Sequence, residues 1–408
     1  MIAYHVMQDQ VLNWWRRSHC WGAFLFFLLC AGGQAQDRLI TIEGDVIEGI
    51  LGSISADGHV DISGKIFPLD GLRSIVPSGG GDNASVVSDG RVVLICGSEM
   101  AASGIKVFEE EILCSVSGVG EIKLPIDAVR ALRFGELIRG SRFQKGLLEW
   151  EASRDLDTIF ISGGAELQEV DGLIEEVNQD ALIFDREDAL QSVPLVRAYG
   201  VVLASPLLND DERPAVILSL TGGTRVRADI KGFNDGQVSL SLVEGVEIVV
   251  PWKNVRRISI SSERLEYLSD IAPVSASSRP VLAPDRTWQR DRTVSGLPIK
   301  IGDQVYDKGL GFASGMSVTF PNEGLHDLFL AEIGIDIDSG SRGDCEFVVM
   351  CEDREVFRKR KRGGEAAELI KVAITGASEV TLRVDYGEDL DIADHADWGE
   401  ACFIQRVK

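Results

Sequence analysis

The residues best suited to chemistry lie near the C-terminus, in the stretch "DHADWGEACFIQ" from Asp394 to Gln405. His395, Asp397 and Trp398 place an imidazole, a carboxylate and an aromatic ring close together in sequence. An aromatic face with a few fixed donors and acceptors is what recognition of a sugar requires. The alternatives are a buried hydrogen-bonded His–Asp clasp and a tryptophan that belongs to the core.

Two further residues suited to sugar recognition occur earlier in the C-terminal region. Trp288 supplies an aromatic ring and Arg290 supplies a guanidinium. We therefore predict a ligand-binding site formed by Trp288, Arg290, His395, Asp397 and Trp398.

Catalysis has little basis in the sequence. The chain has 5 His in all, so a His-rich metal centre cannot be assembled, and the motifs HExxH, CxxC and GxSxG do not occur. A pair of carboxylates could serve a glycosidase, but 64 acidic residues supply such pairs by chance. We predict that the protein is not an enzyme, and a glycoside hydrolase is the weaker alternative.

The stretch "GIDIDSGSRGD" raises the question of calcium, because Asp336 and Asp338 lie in a glycine-rich turn. It fails the EF-hand pattern, since Gly340 stands at the fifth position and Phe347 where the bidentate Glu belongs. We expect solvated turn acids and no cofactor, with a structural calcium ion as the alternative. Weaker metal candidates follow in a second acidic run: Asp389, Asp391 and Asp394.

The charge of the chain limits its partners. The formal net charge is −23, and a surface that acidic repels phosphate backbones and anionic lipid headgroups. We therefore expect neither nucleic-acid binding nor binding to a membrane surface.

The N-terminus has the pattern of an export segment. Arg16 and Arg17 precede the apolar run "CWGAFLFFLLCAGG", which is short for a membrane span, and small residues flank a cleavage position after Ala35. We predict a signal peptide over residues 1–35 and a mature chain from Gln36 that is periplasmic, in the cell envelope or extracellular. A retained single-span anchor is the alternative.

Five cysteines follow the predicted cleavage position, and their odd number and irregular spacing do not indicate a disulfide framework. We expect most of them to be small buried hydrophobic residues. Cys96 with Cys114 is the first pair to test as a disulfide.

A weak internal repeat extends from residue 38 to residue 260. Four segments end on the similar phrases "FPLDGLRSI", "LPIDAVRAL", "VPLVRAYGV" and "VPWKNVRRI", with prolines 57 to 69 residues apart. Arg73, Arg130 and Arg256 stand five residues after a proline, with Tyr199 in the third copy. We expect these side chains to face solvent, and each proline to begin the last strand of its unit.

The alternating apolar stretches and turns before each phrase predict meanders of short, bent strands. They resemble five-stranded barrels of the SH3 or Sm type. The predicted units span residues 36–80, 81–140, 150–205 and 212–261, and they would serve as spacers or bind protein partners. Residues 262–287 are rich in Ser and Pro and predict a linker.

Residues 288–408 predict one further domain, a jelly-roll β-sandwich of about eight short strands. Four blocks follow one another over residues 264–405: "LEYLSDIAP", "DRTVSGLPIKIGDQVYDKGLGFAS", "AEIGIDIDSGSRGDCEFVVMCEDREVF" and "DYGEDLDIADHADWGEACF". In their order and spacing they resemble the NPCBM family of carbohydrate-binding modules. The resemblance implies a galactose-binding-like sandwich that recognises glycans without hydrolysing them. It implies nothing for residues 38–260.

One position departs from the family pattern, in which a His commonly follows the "KGLG" block. Here the chain has Ala313. We predict an exported, non-catalytic glycan-binding protein, and the alternative is a structural protein of the cell envelope whose sandwich no longer binds sugar.

Overall fold

The computed structural model describes residues 36–79, 90–136, 155–163, 167–205, 208, 214, 216–388 and 390–405, and the predicted signal peptide lies outside this set. In the described part, the regular structure consists of β-strands joined by turns and single-turn 3-10 helices. The predicted all-β class is therefore confirmed. Among the described residues, no helix is long and apolar enough to cross a membrane.

The N-terminal part contains four units of similar strand order. The first has β1 (Asp37–Thr41), β2 (Val46–Gly49), β3 (Leu51–Ile54), β4 (His59–Ile62), β5 (Lys65–Pro68) and β6 (Leu72–Val76). The second has β7 (Gly90–Leu94), β8 (Glu99–Phe108), β9 (Glu111–Val116), β10 (Gly120–Pro125) and β11 (Val129–Arg133). The third has β12 (Asp157–Ser162), β13 (Leu167–Val177), β14 (Ala181–Arg186), β15 (Ala189–Pro194) and β16 (Ala198–Val202). The fourth has β17 (Val216–Leu220), β18 (Arg225–Asn234), β19 (Gln237–Ser241), β20 (Glu247–Pro251) and β21 (Val255–Ile260).

In each unit the first strand pairs antiparallel with both the second and the last strand. β2 and β3 of the first unit correspond to the single long second strand of the others. Apolar residues of all four units belong to one continuous core. The last strands also join the units in two pairs, because β21 pairs with β6 and β11 pairs with β16.

Each repeated proline ends the strand before the last strand of its unit, so the prediction that it begins the last strand is wrong. In three units a 3-10 helix separates the proline from the last strand: Leu69–Gly71, Ile126–Ala128 and Trp252–Asn254. Proline suits this position because its fixed φ leads into the turn and its missing N–H lies at a strand end. Further 3-10 helices are Val243–Gly245 and Ile337–Ser339.

The recurring Arg or Tyr lies at a β-bulge. The register between the first and last strands skips one residue in every unit, and the skipped residues are Arg73, Arg130, Tyr199 and Arg256. A bulge redirects the side chain of the extra residue. Arg73 and Arg130 are 0% and 1% exposed, so the prediction that they face solvent is wrong. In the fourth unit the next residue, Arg257, is the buried arginine.

The C-terminal part is a β-sandwich with an antiparallel hairpin at its side. Its strands are β22 (Leu265–Tyr267), β23 (Ser275–Ser278), β24 (Gln289–Arg290), β25 (Ile299–Ile301), β26 (Gln304–Tyr306), β27 (Gly309–Ala313), β28 (Met316–Pro321), β29 (Leu328–Ile335), β30 (Asp344–Cys351), β31 (Arg354–Arg362), β32 (Glu368–Ala373), β33 (Glu379–Tyr386) and β34 (His395–Ile404). One sheet has the order β24-β27-β34-β29-β32, with β22 also on β34, and the other has β23-β28-β33-β30-β31. β25 and β26 form the hairpin.

The segment 262–287, predicted as a linker, contributes a strand to each sheet. β22 pairs with β34 and β23 pairs with β28. All four residues of β23 are exposed, which explains why the segment shows no apolar alternation in sequence. The sandwich therefore begins earlier than predicted.

All five cysteines of the described part are buried free thiols, so Cys96 and Cys114 do not form a disulfide. The Sγ atom of Cys96 lies 3.2 Å from the Ser98 hydroxyl, and burial raises the pKa of Cys114 to about 12. These thiols act as small apolar side chains in the core.

A buried cluster of four charged residues joins the first and fourth repeats to the sandwich. Arg257 Nη2 lies 2.9 Å from Glu332 Oε1, and Arg257 Nη1 lies 3.5 Å from Glu400 Oε2. Arg73 Nη1 donates to the Glu400 carbonyl oxygen at 3.2 Å. We call Arg73, Arg257, Glu332 and Glu400 the Arg–Glu cluster; its formal charges cancel.

Neighbouring groups complete the contact around this cluster. The Tyr306 hydroxyl donates to Glu332 at 2.9 Å, and the Ser259 hydroxyl donates to Glu400 at 2.8 Å. An apolar patch lies beside it, in which a repeat residue packs on the outer face of the sandwich: Ile42 with Leu328, Leu330, Cys402 and Ile404. One face of the sandwich sheet is thus covered by the repeats.

Candidate functional site

A surface cavity of about 260 Å³ lies where β27 ends and β34 begins. Ala313 and His395 are directly opposed residues of these strands, and both line the cavity. The rest of the lining comes from two loops, residues 282–286 and 391–394. Of the five predicted ligand-binding residues, His395 is the one that lines this cavity.

Arg286 shares the cavity with His395 and was not predicted from the sequence. Its Nη1 atom lies 3.4 Å from His395 Nε2 and donates to the Ser295 hydroxyl at 2.8 Å. Burial and then the charge of Arg286 lower the pKa of His395, although Asp336 and Asp338 act in the opposite direction. His395 is therefore neutral at pH 7. Because arginine can only donate, Nε2 is the acceptor, and the pair offers several donors to a ligand.

The carboxylate of Asp391 holds one wall of the cavity in place. It accepts backbone N–H groups of Val281, Leu282 and Ala283 at 2.6 to 3.0 Å. Burial acts to raise the pKa of Asp391, but these three hydrogen bonds lower it overall. The carboxylate is thus occupied by the chain itself, and it fixes a loop whose residues line the cavity.

Much of the remaining lining is aliphatic, with Leu282, Pro284 and Ile392 beside Ala313. The described lining of this cavity contains no Phe, Tyr or Trp side chain. C–H groups of a ligand would therefore meet aliphatic carbon, while its polar groups would meet Arg286 and His395.

Trp398 is 0% exposed, which contradicts the prediction that its ring stacks on a sugar. Its ring centroid lies 4.9 Å from that of Phe347, 6.0 Å from Phe329 and 6.3 Å from Phe312. Because side chains alternate along β34, Ala396 and Trp398 face the space between the sheets. The tryptophan is a core residue.

Asp397 is also 0% exposed, so the prediction that it contacts a ligand is contradicted as well. Burial, followed by the charge and hydrogen bond of Asp336, raises its pKa well above the usual value. The raised pKa favours the protonated form of Asp397, and among the described residues no N–H or hydroxyl donor reaches its carboxyl oxygens. The carboxyls of Asp397 and Asp336 therefore form a buried pair close to His395.

Trp288 and Arg290 fasten a loop to the sandwich and do not line this cavity. Arg290 donates to the carbonyl oxygens of Ser269 at 2.7 Å and Ile271 at 2.9 Å, and its guanidinium lies 5.2 Å from the Trp288 ring centroid. Trp288 is half-buried and packs edge-on against Phe312, at 6.4 Å between centroids. Through these contacts, Trp288 and Arg290 hold the loop against the sandwich.

The "KGLG" block also has a structural role. Lys308 bridges Asp270 at 2.5 Å and Asp291 at 3.1 Å. A Cβ atom at Gly311 would lie 2.3 Å from the Arg292 carbonyl oxygen, so only glycine fits where β27 passes this loop.

Asp336 and Asp338 were expected to be solvated turn acids, with a calcium site as the alternative, but Asp336 is buried, at 2% exposure. Asp336 Oδ1 accepts the N–H of Asp338 at 2.8 Å, Asp336 Oδ2 accepts that of Lys300 at 3.3 Å, and Asp338 is exposed. Asp394 accepts the N–H of Asp344 at 2.8 Å, and Asp389 lies outside the described residues. Over the described part of the chain, no group of three or more His, Cys, Asp or Glu residues is placed to hold a metal ion.

A second, more open cavity of about 380 Å³ adjoins the first. Its lining is Arg286, Thr287, Gln289, Val294 and Ser295. Arg286 therefore belongs to both cavities.

An antiparallel β-sandwich with a small surface cavity of mixed polarity is an architecture of carbohydrate-binding modules. Residues 264–404 match the family model of the NPCBM/NEW2 domain, which confirms the resemblance predicted from the sequence. The C-terminal sandwich is a domain of this family, and the match does not extend to the repeats.

Comparison with known proteins gives similar modules. Over 110 residues, 27% of this chain, it is 31% identical to a Renibacterium salmoninarum protein whose name describes an endo-alpha-N-acetylgalactosaminidase, of which the chain spans only 7%. A CBM51 module of Clostridium perfringens, solved with methyl-galactose, is 26% identical with a TM-score of 0.31, over 34% of this chain and 99% of that chain. A second C. perfringens structure, of a CBM51 module with GlcNAc and adjoining domains, is 23% identical with a TM-score of 0.33, over 42% of this chain and 39% of that chain.

Proposed function

We propose that this protein is a non-catalytic glycan-binding protein that attaches to its ligand through the cavity at Ala313 and His395. The observation that carries the proposal is the position of this cavity. It lies within the segment that matches the NPCBM family, and it brings a neutral imidazole and a guanidinium together beside aliphatic carbon.

The size and chemistry of the cavity suit one sugar unit. Its volume of about 260 Å³ is close to the lower end of the roughly 300–1,000 Å³ typical of small-molecule sites. Arg286 supplies donors for hydroxyl oxygens, and Pro284 and Ile392 supply apolar contact for the C–H face of the ring.

The acids near the cavity favour binding over hydrolysis. A glycosidase needs an acid and a base or nucleophile on the two sides of a bound sugar. The carboxyls of Asp336 and Asp397 lie side by side, but they are 2% and 0% exposed, so no substrate reaches them. Asp391 and Asp394 line the cavity, yet each already accepts backbone N–H groups. The hydrolase name of the Renibacterium protein belongs to a far longer chain.

Glycan screening of the full chain tests this function, with methyl-galactose and GlcNAc as the first soluble probes. His395→Ala should lower the affinity about tenfold or more, because it removes part of the cavity wall and the acceptor that holds Arg286 in place. His59→Ala is the control, since the side chain of His59 lies at an exposed position of β4 in the first repeat. Absence of binding to every glycan, by a chain shown to be folded, would refute the proposal.

We also propose that the protein is exported and that the repeats are small barrels of the SH3 or Sm type that act as spacers or bind protein partners. Two observations support the barrel assignment: the first strand of each unit pairs with the second and the last, and a single 3-10 turn precedes the last strand in three units. Export would place the domain where glycans of the envelope or the cell exterior are present.

A second candidate is a structural protein of the cell envelope whose sandwich does not bind sugar. The burial of Trp398 and the clasp formed by Arg290 favour it, because these residues serve the fold alone. Self-association of the full chain in sedimentation, together with no binding in the glycan screen, would favour this candidate.

A further inference from the structure

The two cavities meet at Arg286, which lines both of them. One of its Nη atoms lies between His395 of the first cavity and Ser295 of the second, at 3.4 and 2.8 Å. Among the described residues no carboxylate forms an ion pair with Arg286, so its remaining N–H groups are free to donate to a ligand.

The two cavities differ in character. The first is lined largely by aliphatic carbon, with His395 and Arg286 as the polar groups that face a ligand. The second is more open, and its lining includes the hydroxyls of Thr287 and Ser295 and the amide of Gln289. A partly enclosed apolar site beside an open polar one fits a terminal sugar followed by a more hydrated unit.

We propose that the cavities are adjoining subsites for two linked sugar units, with Arg286 hydrogen-bonded at the junction between them. The ligand class is then the end of an oligosaccharide chain, and a free monosaccharide fills only the first subsite. This inference rests on the proposed glycan-binding function and specifies the length of glycan that the site recognises.

Gln289 is the residue that reports on the second subsite. It lies on β24, and its side-chain amide donates to the Thr287 carbonyl oxygen at 3.0 Å, which leaves its own carbonyl as an acceptor for a sugar hydroxyl. It does not line the first cavity. Its removal should therefore affect a disaccharide and spare a monosaccharide.

The test is calorimetric titration of the full chain with methyl-galactose, GalNAc and GlcNAc, and with a panel of disaccharides that carry each of these sugars at the non-reducing end. At least one disaccharide should bind about tenfold more tightly than its terminal monosaccharide, because the second unit adds hydrogen bonds. Gln289→Ala should remove most of this gain and leave the monosaccharide affinity unchanged. Gln237→Ala, on an exposed position of β19, should change neither value.

The outcomes separate this inference from the proposed function. Equal affinity for a monosaccharide and all its disaccharides, or equal weakening of both by Gln289→Ala, overturns the two-subsite proposal while glycan binding stands. No binding by any sugar of either length overturns both. His395→Ala should weaken both ligands by a similar factor, since both occupy the first subsite.

Discussion

The guanidinium of Arg257 lies 2.9 Å from the carboxylate of Glu332, and these side chains are 1% and 3% exposed. Arg257 belongs to the last strand of the fourth repeat and Glu332 to a central strand of the sandwich. A buried ion pair seldom stabilises a fold more than a well-packed apolar pair would, yet loss of one partner leaves the other charge uncompensated. We therefore expect the pair to specify how the sandwich docks on the repeats.

Replacing one acid of the Arg–Glu cluster should destabilise the protein strongly. Glu332→Gln keeps the shape but leaves two buried arginines with one carboxylate, and we expect a loss of about 3–5 kcal/mol in the free energy of unfolding. Urea unfolding of the full chain at pH 7 measures it. The control is Glu43→Gln, which removes an exposed ion pair with Arg264 and should cost about 0–1 kcal/mol. Equal effects of both variants would contradict the prediction.

The same pair should make stability depend on pH in the acid range. Burial acts to raise the pKa of Glu332, but Arg257 and Arg73 lower it overall. Because the folded-state pKa lies below the unfolded value of about 4.3, the stabilisation is fully present above that pH and is lost as the pH falls through the folded-state pKa. The stability difference between the wild type and Glu332→Gln should therefore shrink below about pH 4 in a series of urea titrations.

Asp397 should show the opposite dependence. Its raised pKa means that the unfolded chain releases this proton first, so stability falls as the pH rises above about 3.9. Asp397→Asn keeps a donor for Asp336 and removes the ionisation, so thermal unfolding at pH 7 should show equal or greater stability. Asp391→Asn is the contrasting variant. It weakens three backbone hydrogen bonds and should lower stability at the same pH.

Glycan affinity should be insensitive to pH until His395 gains a proton. Burial and Arg286 lower the pKa of His395, so the ring stays neutral through pH 7, and protonation would place a cation beside the guanidinium. We expect the affinity to be constant above about pH 7 and to fall as the pH drops through the folded-state pKa of His395, which lies below about 6.5. In His395→Gln the affinity should be weaker and flat with pH. A wild-type profile that is also flat down to pH 4.5 would show that this group does not contact the ligand.

Trp398→Ala should damage the fold without a selective effect on binding. Removal of a fully buried tryptophan from an aromatic cluster costs about 3–5 kcal/mol. The fraction that remains folded should keep the glycan affinity of the wild type. Trp288→Ala, at a half-buried position, should cost less; a selective loss of glycan affinity in Trp398→Ala would contradict the core assignment.

The sequence predicted the strand-rich architecture and the C-terminal family. Apolar alternation and the four sequence blocks that resemble the family are local patterns, so they can be recognised without the fold. It could not predict the burial of Arg73, since that depends on a bulge and on carboxylates that are distant in sequence. The burial of Arg73 is therefore determined by tertiary contacts and not by its local sequence.

The candidate site was predicted in part. His395 was identified, but Trp398 and Asp397 were placed beside it at the surface, whereas β34 is covered on both faces and buries them. Arg286 was missed because it lies in an irregular Ser- and Pro-rich segment. Its position is set by hydrogen bonds from that segment to Asp391, and no sequence period records such a contact.

The repeats cover the outer face of a sandwich sheet through Ile42 and the Arg–Glu cluster, so the candidate cavity lies on a sandwich that is packed against the repeats rather than joined to them by a linker alone. A flexible tether lets a module search for its ligand, whereas a rigid mount presents the cavity in one direction. When several copies of the chain are arrayed on one surface, a common orientation raises the effective concentration for ligands that match their spacing and excludes the others. Selectivity would then lie in geometry as well as in the cavity itself.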